Sequence, residues 1–547
     1  MYANKHFYDA KDILKEYIFG DHKFLPDVGT KYLNMENNFK SVTWDKDTYH
    51  RISGSKGYLS GIELTKHRGN YLNKFLYEDK NPSYKFLGTS NGVSAVNVVA
   101  GGSGKVGPYA GGWQTNAMKN RLGMLLPDTL HVSPEEAANC AEEINNHLHR
   151  ADAVQHIQKL DNPELRTNNY YDLALLADME QGWNTPEKTR ISVIRAIQNG
   201  INVIHIEDQG EKKRCGHLGD KELNIYDDYA MILRSANLAA QELLGIEQAE
   251  KHWVRFVART DAYSAKRIVN SNKLYDTNNL EHKFVDWERG PTPDGKYLYL
   301  KEGTNPETGR RWGLDLSIER SAKIVDDGLA SHVWMETPDA DLHIAKTYMD
   351  EVNKILLPKG KRAHGLYNHS PSFDWDVKFF AEAEPLAGKV AEYVKNEVYQ
   401  YANSLCTDPL QMNRLLTKSY RSSLEQGVRD FLAKTGHEVQ GDHLFSDDHI
   451  SQITTHCVDY ALGPNKWDDR LRNIIESQGN SHIENEIRKM AESDRERGFC
   501  PKDHITELIV DQRLINFSPM LASFGFDMHL ITLPEFHVTA YNMHKLS

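Results

Sequence analysis

The chain has 547 residues, too many for one simple core and enough for an elaborated large domain. Hydrophobic and charged contents of 39% and 26% are those of an ordinary globular protein, and a net charge of −12 argues against generic binding to nucleic acid or anionic membrane, since either would repel it. The five cysteines (Cys140, Cys215, Cys406, Cys457, Cys500) are widely spaced and odd in number, which suits neither a disulfide framework nor a CxxC zinc pair; a reducing cytoplasm is expected.

Met1 to His6 leads into polar sequence without an apolar signal core, and no apolar run approaches the length that spans a bilayer. Lys545-Leu546-Ser547 holds the letters of the peroxisomal tripeptide in the wrong order. Residues 1–100 are polar, aromatic and turn-rich, with helical pieces such as Ile62 to Phe75, and read as an N-terminal helical elaboration. Short apolar runs then recur, each closing on polar or charged residues: Val106 to Trp113, Leu173 to Asp178, Val203 to Glu207, Val254 to Arg259, Val333 to Glu336, Gly365 to Asn368 and His529 to Thr532. Amphipathic stretches of helical length, such as Thr189 to Asn199 and Tyr229 to Leu244, lie between them and end at glycine. This alternation predicts a parallel sheet with crossover helices. Seven recognisable strands and an easily missed eighth favour an α/β fold of the closed (β/α)8 TIM-barrel type, over 101–375 and 506–547. Residues 376–505 break the rhythm as consecutive helices, one with Val390, Tyr393, Val394 and Val398 on a face, another through Leu415, Leu416, Leu424, Val428 and Phe431. They read as a helical insertion late in the barrel.

Nearly every chemically suggestive residue falls at a strand's carboxyl end, where barrel enzymes keep their active sites. Lys213-Arg214-Cys215-Gly216-His217 sets a thiol between cations and an imidazole, which favours thiolate, with a glycine that lets backbone approach a ligand. The bland alternative is an inert cysteine in a solvated basic loop. Asp178 and Glu180, spaced i, i+2, can share a face; with Glu207, Asp208 and Asp128 they suit a hard ion, Mg2+ or Mn2+, better than zinc. Helix capping and solvation are the alternative roles for these carboxylates. Arg259 at a strand end needs an anion: a substrate carboxylate, or a structural pair with Asp261 or Glu207. Asn368-His369-Ser370-Pro371-Ser372 offers three small donors, or is an ordinary turn; Gly111-Gly112-Trp113 brings backbone N–H groups to an oxyanion, or is likewise only a turn. Trp113 and Trp334 read more readily as core aromatics. Together these parts suit a small polycarboxylate and a reaction that protonates a carbanion.

The same residues resemble the isocitrate lyase family. Lys213 to His217 is similar to its Lys-Lys-Cys-Gly-His signature, with arginine second. Gly111 to Trp113 resembles its Ser-Gly-Trp, Ala177-Asp178-Met179-Glu180 its Ala-Asp-Gly-Glu, and Asn368 to Phe373 its Asn-Cys-Ser-Pro-Ser-Phe. Pro127-Asp128, Glu207-Asp208-Gln209, Ala258 to Asp261, Trp334 to Thr337, Ile531-Thr532-Leu533 and Phe536-His537 follow the family's order. The likeness covers about 100–375 and 510–545. It implies Mg2+-dependent cleavage of isocitrate to glyoxylate and succinate. By that resemblance Asp178 binds the metal, and Asp128, Glu180 and Glu207 hold its waters. Gly111, Gly112, Trp113 and Arg259 hold the glyoxylate half; Gly216, His217, Asn368, Ser370, Ser372 and Thr532 hold the succinate half. Cys215 protonates the succinate carbanion, and Tyr109 or Glu336 accepts the hydroxyl proton. 2-Methylisocitrate is the alternative substrate, disfavoured by Trp334, Thr532 and Leu533, and a non-catalytic metabolite-binding relative is the third reading.

Five departures from the family pattern stand out. Gly111 replaces serine, the loop from Glu207 to Lys213 is one residue short, and Gln181 to Asn184 lacks the usual glycine richness. His369 replaces a non-ionisable residue, and the chain stops at Ser547, soon after His537. A homotetramer is implied, without the exchanged C-terminal helices of relatives.

Overall fold

The computed structural model describes residues 61–78, 82–101, 106–119, 133–162, 164, 171, 173–216, 219–337, 340–370, 373, 375–406, 418–435, 447–462 and 501–532. Eight parallel strands close a barrel: β1 (Tyr84–Thr89), β2 (Val106–Ala110), β3 (Leu176–Asp178), β4 (Val203–Glu207), β6 (Arg255–Thr260), β9 (His332–Met335), β10 (His364–Asn368) and β11 (Phe526–Ile531), with β11 pairing back to β1. The expected barrel is therefore the observed fold. The eighth strand, β1, lies inside the stretch expected to be N-terminal elaboration, so the barrel begins before residue 101. Its sequence, Tyr-Lys-Phe-Leu-Gly-Thr, is strand-like, but polar surroundings hide it.

Alternation along each strand sorts side chains between two cores. Tyr84, Phe86, Tyr109, Leu176, Val203, Val257, Trp334, Leu366, Met528 and Leu530 pack together in the lumen. Ile204, Ile206, Phe256 and Ala258, one residue out of phase, pack outward against Val193, Ile197, Tyr229, Leu233 and Ala236 of helices Pro186–Gln198 and Tyr226–Leu244. Helix Gly61–Glu78 covers the amino ends of the strands: Leu72 and Leu76 join the lumen cluster, Phe75 meets Tyr84 edge-on at 5.3 Å, and Asn73 accepts from Arg255 at the start of β6.

A second sheet, absent from the sequence expectations, joins β5 (Lys221–Leu223), β7 (Ala265–Val269) and β8 (Tyr297–Tyr299). It grows from the connections that follow β4 and β6, so it belongs to the carboxyl face. Leu223, Ile268, Phe284, Leu298 and Leu316 give it its own core.

The chain divides into two compact units, residues 1–373 with 521–547, and 374–520. In the second, helices Trp375–Cys406, Lys418–Thr435 and Asp447–Leu462 bury Val390, Val394 and Val398, Leu424 and Val428, and Ile450 and Ile453. Leu415 and Leu416 lie outside the described residues.

Candidate active site

The lumen phase of each strand, followed to its carboxyl end, becomes polar. Leu176 leads to Asp178, Val203 to His205 and Glu207, Val257 to Arg259 and Asp261, Trp334 to Glu336, and Leu366 to Asn368 and Ser370. One face of one barrel mouth thus gathers residues from Asp178 to Ser370, because a period of two keeps them in phase.

Asp178 and Glu180 do meet, though by a route other than strand alternation. β3 ends at Asp178, and Glu180 takes a left-handed conformation (φ 51°) whose N–H donates to Asp178 Oδ1 at 2.7 Å. Gly182, Trp183 and Asn184 continue with positive φ, so two bulky residues sit in a conformation that glycine adopts freely. Asp178 Oδ2 accepts from the Gly112 N–H at 3.0 Å and the Tyr109 hydroxyl at 3.3 Å. The Gly112 amide, expected for an oxyanion, is thus engaged by a carboxylate; a Cβ at Gly112 would stand 2.3 Å from Asp178 Oδ2. Gly111 is buried beside it, and Trp113 is half-buried. Burial pushes the Asp178 carboxyl upward, but His205, Lys213 and the Glu180 amide outweigh it and hold it below the usual range.

Lys213, from the thiol loop, reaches into this cluster. Its ammonium pairs with Glu180 and lies 3.8 Å from Glu207. Glu207 is fully buried and neither carboxylate oxygen makes a hydrogen bond, although Arg259 Nη1 stands 3.2 Å away. Burial drives its carboxyl well above the usual range despite Arg259 and Lys213. A buried carboxylate with unused lone pairs, beside Asp178 and Glu180, is a hard-oxygen donor set.

Arg259 is paired within the chain. Asp261 grips it through Nε and Nη2 at 3.0 and 3.1 Å, Glu336 lies 3.8 Å from Nε, and its guanidinium stacks 4.5 Å from the centroid of Trp334. Trp334 is core, as read from sequence, and also the floor under this guanidinium. Asp261 is held in turn by Lys221 at 2.6 Å. Asp208, grouped with the metal candidates in the sequence, faces elsewhere: it accepts from Thr260, the Asp261 amide and Arg320.

The second sheet sets the thiol loop. Gly210 N–H donates to Glu222 O at 2.7 Å, and Gln209 clamps Arg214 through its amide N–H and carbonyl, both at 2.8 Å. Cys215 is half-buried and forms no disulfide among the described residues. Gly216 is closer in: a Cβ there would lie 2.6 Å from both Arg259 Nη2 and Glu336 Oε1. Asn368 donates to Glu336 Oε1 at 3.3 Å, Ser370 is buried, and Thr532 is half-buried just past β11. Asp128, His217 and Ser372 lie outside the described residues.

His205 was missed in the sequence. Its Nε2 sits 3.0 Å from the Tyr109 hydroxyl and 3.5 Å from Asp178 Oδ1, and its ring packs edge-on against Trp334 at 5.0 Å. The available signal was its phase, one step below Glu207 in the same strand.

No family model matches the chain. Among curated proteins, the isocitrate lyase of Halalkalibacterium halodurans is 28% identical over 346 residues, covering 61% of this chain and 72% of that one. Isocitrate lyase 1 of Mycobacterium tuberculosis is 31% identical over 290 residues, covering 53% of this chain and 59% of that one. The isocitrate lyase of Salmonella typhimurium is likewise covered over 59% of its length, so the chain spans about three-fifths to three-quarters of these relatives. A solved oxaloacetate acetylhydrolase aligns with a TM-score of 0.34 and 20% identity over 57% of this chain and 72% of that one. Over more than half its length the chain is thus similar to curated carbon–carbon lyases named isocitrate lyase, and its own fold is a closed parallel barrel.

Proposed function

We propose that this protein is a carbon–carbon lyase that splits isocitrate into glyoxylate and succinate. The observation that carries the reading is the convergence of the Cys215–Gly216 loop with Arg259, Glu336 and the Asp178–Glu180–Glu207 carboxylates at one barrel mouth. Likeness to enzymes named isocitrate lyase supplies the substrate.

The carboxylates fit Mg2+, with Mn2+ the alternative: Glu207 has two buried oxygens without hydrogen bonds, and Lys213 already places one cation among them. Asp178, Glu180 and Glu207 would hold the ion, with Asp128 as a further candidate. When bound, it supplies a Lewis acid that withdraws charge from a substrate oxygen. The chain's own residues do the rest. Tyr109, poised between His205 and Asp178, accepts the substrate hydroxyl proton as its own O–H proton moves to His205 Nε2. As the hydroxyl-bearing carbon becomes the glyoxylate carbonyl, the C–C bond breaks and its electron pair stays on the succinate half. The Cys215 thiol gives its proton to that carbon, leaving thiolate beside Arg214 and Lys213. Glu336 stays with Arg259 and Asn368 as a positioning group. Gly111, Gly112, Trp113 and Arg259 would hold the glyoxylate half, and Gly216, Asn368, Ser370 and Thr532 the succinate half, with His217 and Ser372, outside the described residues, as further candidates by the family resemblance. A cytoplasmic homotetramer belongs to the same reading.

The test is a steady-state assay with Mg2+ on isocitrate and 2-methylisocitrate. Glyoxylate release from isocitrate is expected, with Cys215→Ser losing at least about 100-fold in kcat, within the range of a proton-transfer group. Full activity of Cys215→Ser removes the thiol from the mechanism, and a clear preference for 2-methylisocitrate replaces the substrate.

A further inference from the structure

The other pole of the barrel holds a cluster that the proposed reaction does not use. His332 opens β9, His364 opens β10, and Asp527 is the second residue of β11. Glu336 and Asn368, at the mouth, lie four residues farther along β9 and β10. At about 3.3 Å per residue the cluster is roughly 13 Å below the active-site layer.

A strand irregularity builds it. β10 and β11 pair Gly365 with Phe526 and then Leu366 with Met528, so Asp527 is an extra residue on β11. Its neighbours Met528 and Leu530 mark the lumen phase, and Asp527 is out of phase with them. Such a bulge re-aims a side chain. Here it brings the Asp527 carboxylate to His332 Nε2 at 3.2 Å and to His364 Nδ1 at 2.7 Å, with the two imidazoles stacked at 5.3 Å.

The cluster is incompletely satisfied. His332 and Asp527 are 1% and 3% exposed, yet neither His332 Nε2 nor Asp527 Oδ1 makes a hydrogen bond. His332 Nδ1 lies 2.9 Å from Ser331 Oγ. Where Nδ1–H donates to that hydroxyl, Nε2 turns a lone pair toward a carboxylate oxygen, which a metal ion would bridge; where the hydroxyl donates instead, Nε2–H faces the carboxylate. One ligand atom from each of the three residues lies within 4.8 Å of the others. Zinc bonds of about 2.0–2.1 Å in a tetrahedron set ligands about 3.3 Å apart, close to the His332–Asp527 separation.

We propose that His332, His364 and Asp527 form a metal site for a borderline divalent ion, Zn2+, at the amino-terminal pole of the barrel, separate from the carboxylates at the mouth. Two imidazoles and one carboxylate select Zn2+ over Mg2+. The Arg255 guanidinium acts electrostatically on His332 and opposes any cation bound there, so the ion must be held by strong bonds to nitrogen and oxygen. Arg255 is itself engaged by Asn73 and Tyr77. Ser331, which orients His332, also lines a surface cavity with His252 and Arg255, giving the ion a way in. The site ties β9, β10 and β11 together where residues 374–520 separate the last two strands, so an ion bound only by the folded chain stabilises that closure.

The test uses the full chain stripped of metal and re-equilibrated with excess Mg2+ and limiting Zn2+ or Co2+. Wild type is expected to hold one more zinc per chain than His364→Gln, by mass spectrometry, and to show the visible bands of four-coordinate Co2+ that the variant lacks. His364 is partly exposed, so this variant keeps its fold; Asp527→Asn should lose the ion too. Equal zinc content in wild type and His364→Gln overturns the proposal and leaves a proton bridging His332 and Asp527.

Discussion

Gly216 has no room for even one more carbon. A Cβ at this position meets the Arg259 guanidinium and the Glu336 carboxylate, and both are tethered, by Asp261, Trp334 and Asn368. Gly216→Ala must therefore push the thiol loop outward instead of displacing the arginine. Moving a reacting group by about 1 Å costs on the order of 100-fold in rate. The expected outcome is that loss in kcat/KM, with Tm within a few degrees of wild type, since the loop adds little to the core. A variant with full activity would show that the loop stands farther from the substrate. Sequence alone exposed Cys215 and Gly216 because their neighbours are cations. It offered Asp261 as a partner for Arg259 but did not expose Lys221, whose pairing with Asp261 spans 40 positions and depends on a sheet that three-residue β5 gives no pattern for. Asp208 misled for the same reason: its partner Arg320 lies 112 residues away.

Strands were legible wherever both faces are buried, because a buried parallel strand is a continuous apolar run that ends where the mouth begins. β1 escaped since lysine and glycine interrupt its run, and β7 and β8 escaped because their alternation is that of a half-exposed sheet. At this scale the paired strands β10 and β11 carry a pH dependence. His369, half-buried just past β10, and His529, buried in β11, have ring nitrogens 3.0 Å apart. Burial pushes His529 down to about 4, with Lys85 adding to it, and burial together with His529 and Lys85 holds His369 well below the usual range. Both fold as neutral rings, whereas the unfolded chain protonates near pH 6.5. Stability is therefore present above that pH and falls as the pH drops toward 4, by about 2 kcal/mol at pH 5 for His529 alone. Thermal melts in chelator from pH 7.5 to 5 should show Tm declining across this window, and His529→Gln should flatten the slope. An equal slope in the variant would place the proton uptake elsewhere.

The largest feature of the molecule is the insertion of one compact unit into the sequence of another. Residues 374–520 fall between β10 and β11, yet β11 still pairs with both β10 and β1 to close the barrel. Loop-closure entropy grows only with the logarithm of length, so even this long excursion costs little if its ends stay close. The helices of the inserted unit bury their own core around Val390, Val394, Val428, Ile450 and Ile453, and the candidate active-site residues among the described ones all belong to the other unit. Two cores of this kind predict two thermal transitions. Mg2+ with succinate, binding at the barrel mouth, should raise only the barrel's transition, because a ligand stabilises the unit whose folded form binds it. At ligand about 100-fold above Kd the gain is about 2.7 kcal/mol, a shift of a few degrees for a unit this large. Differential scanning calorimetry with and without the pair reads this directly. A single transition that moves as a whole would mean that the two cores melt together, and that the insertion stabilises the barrel it interrupts.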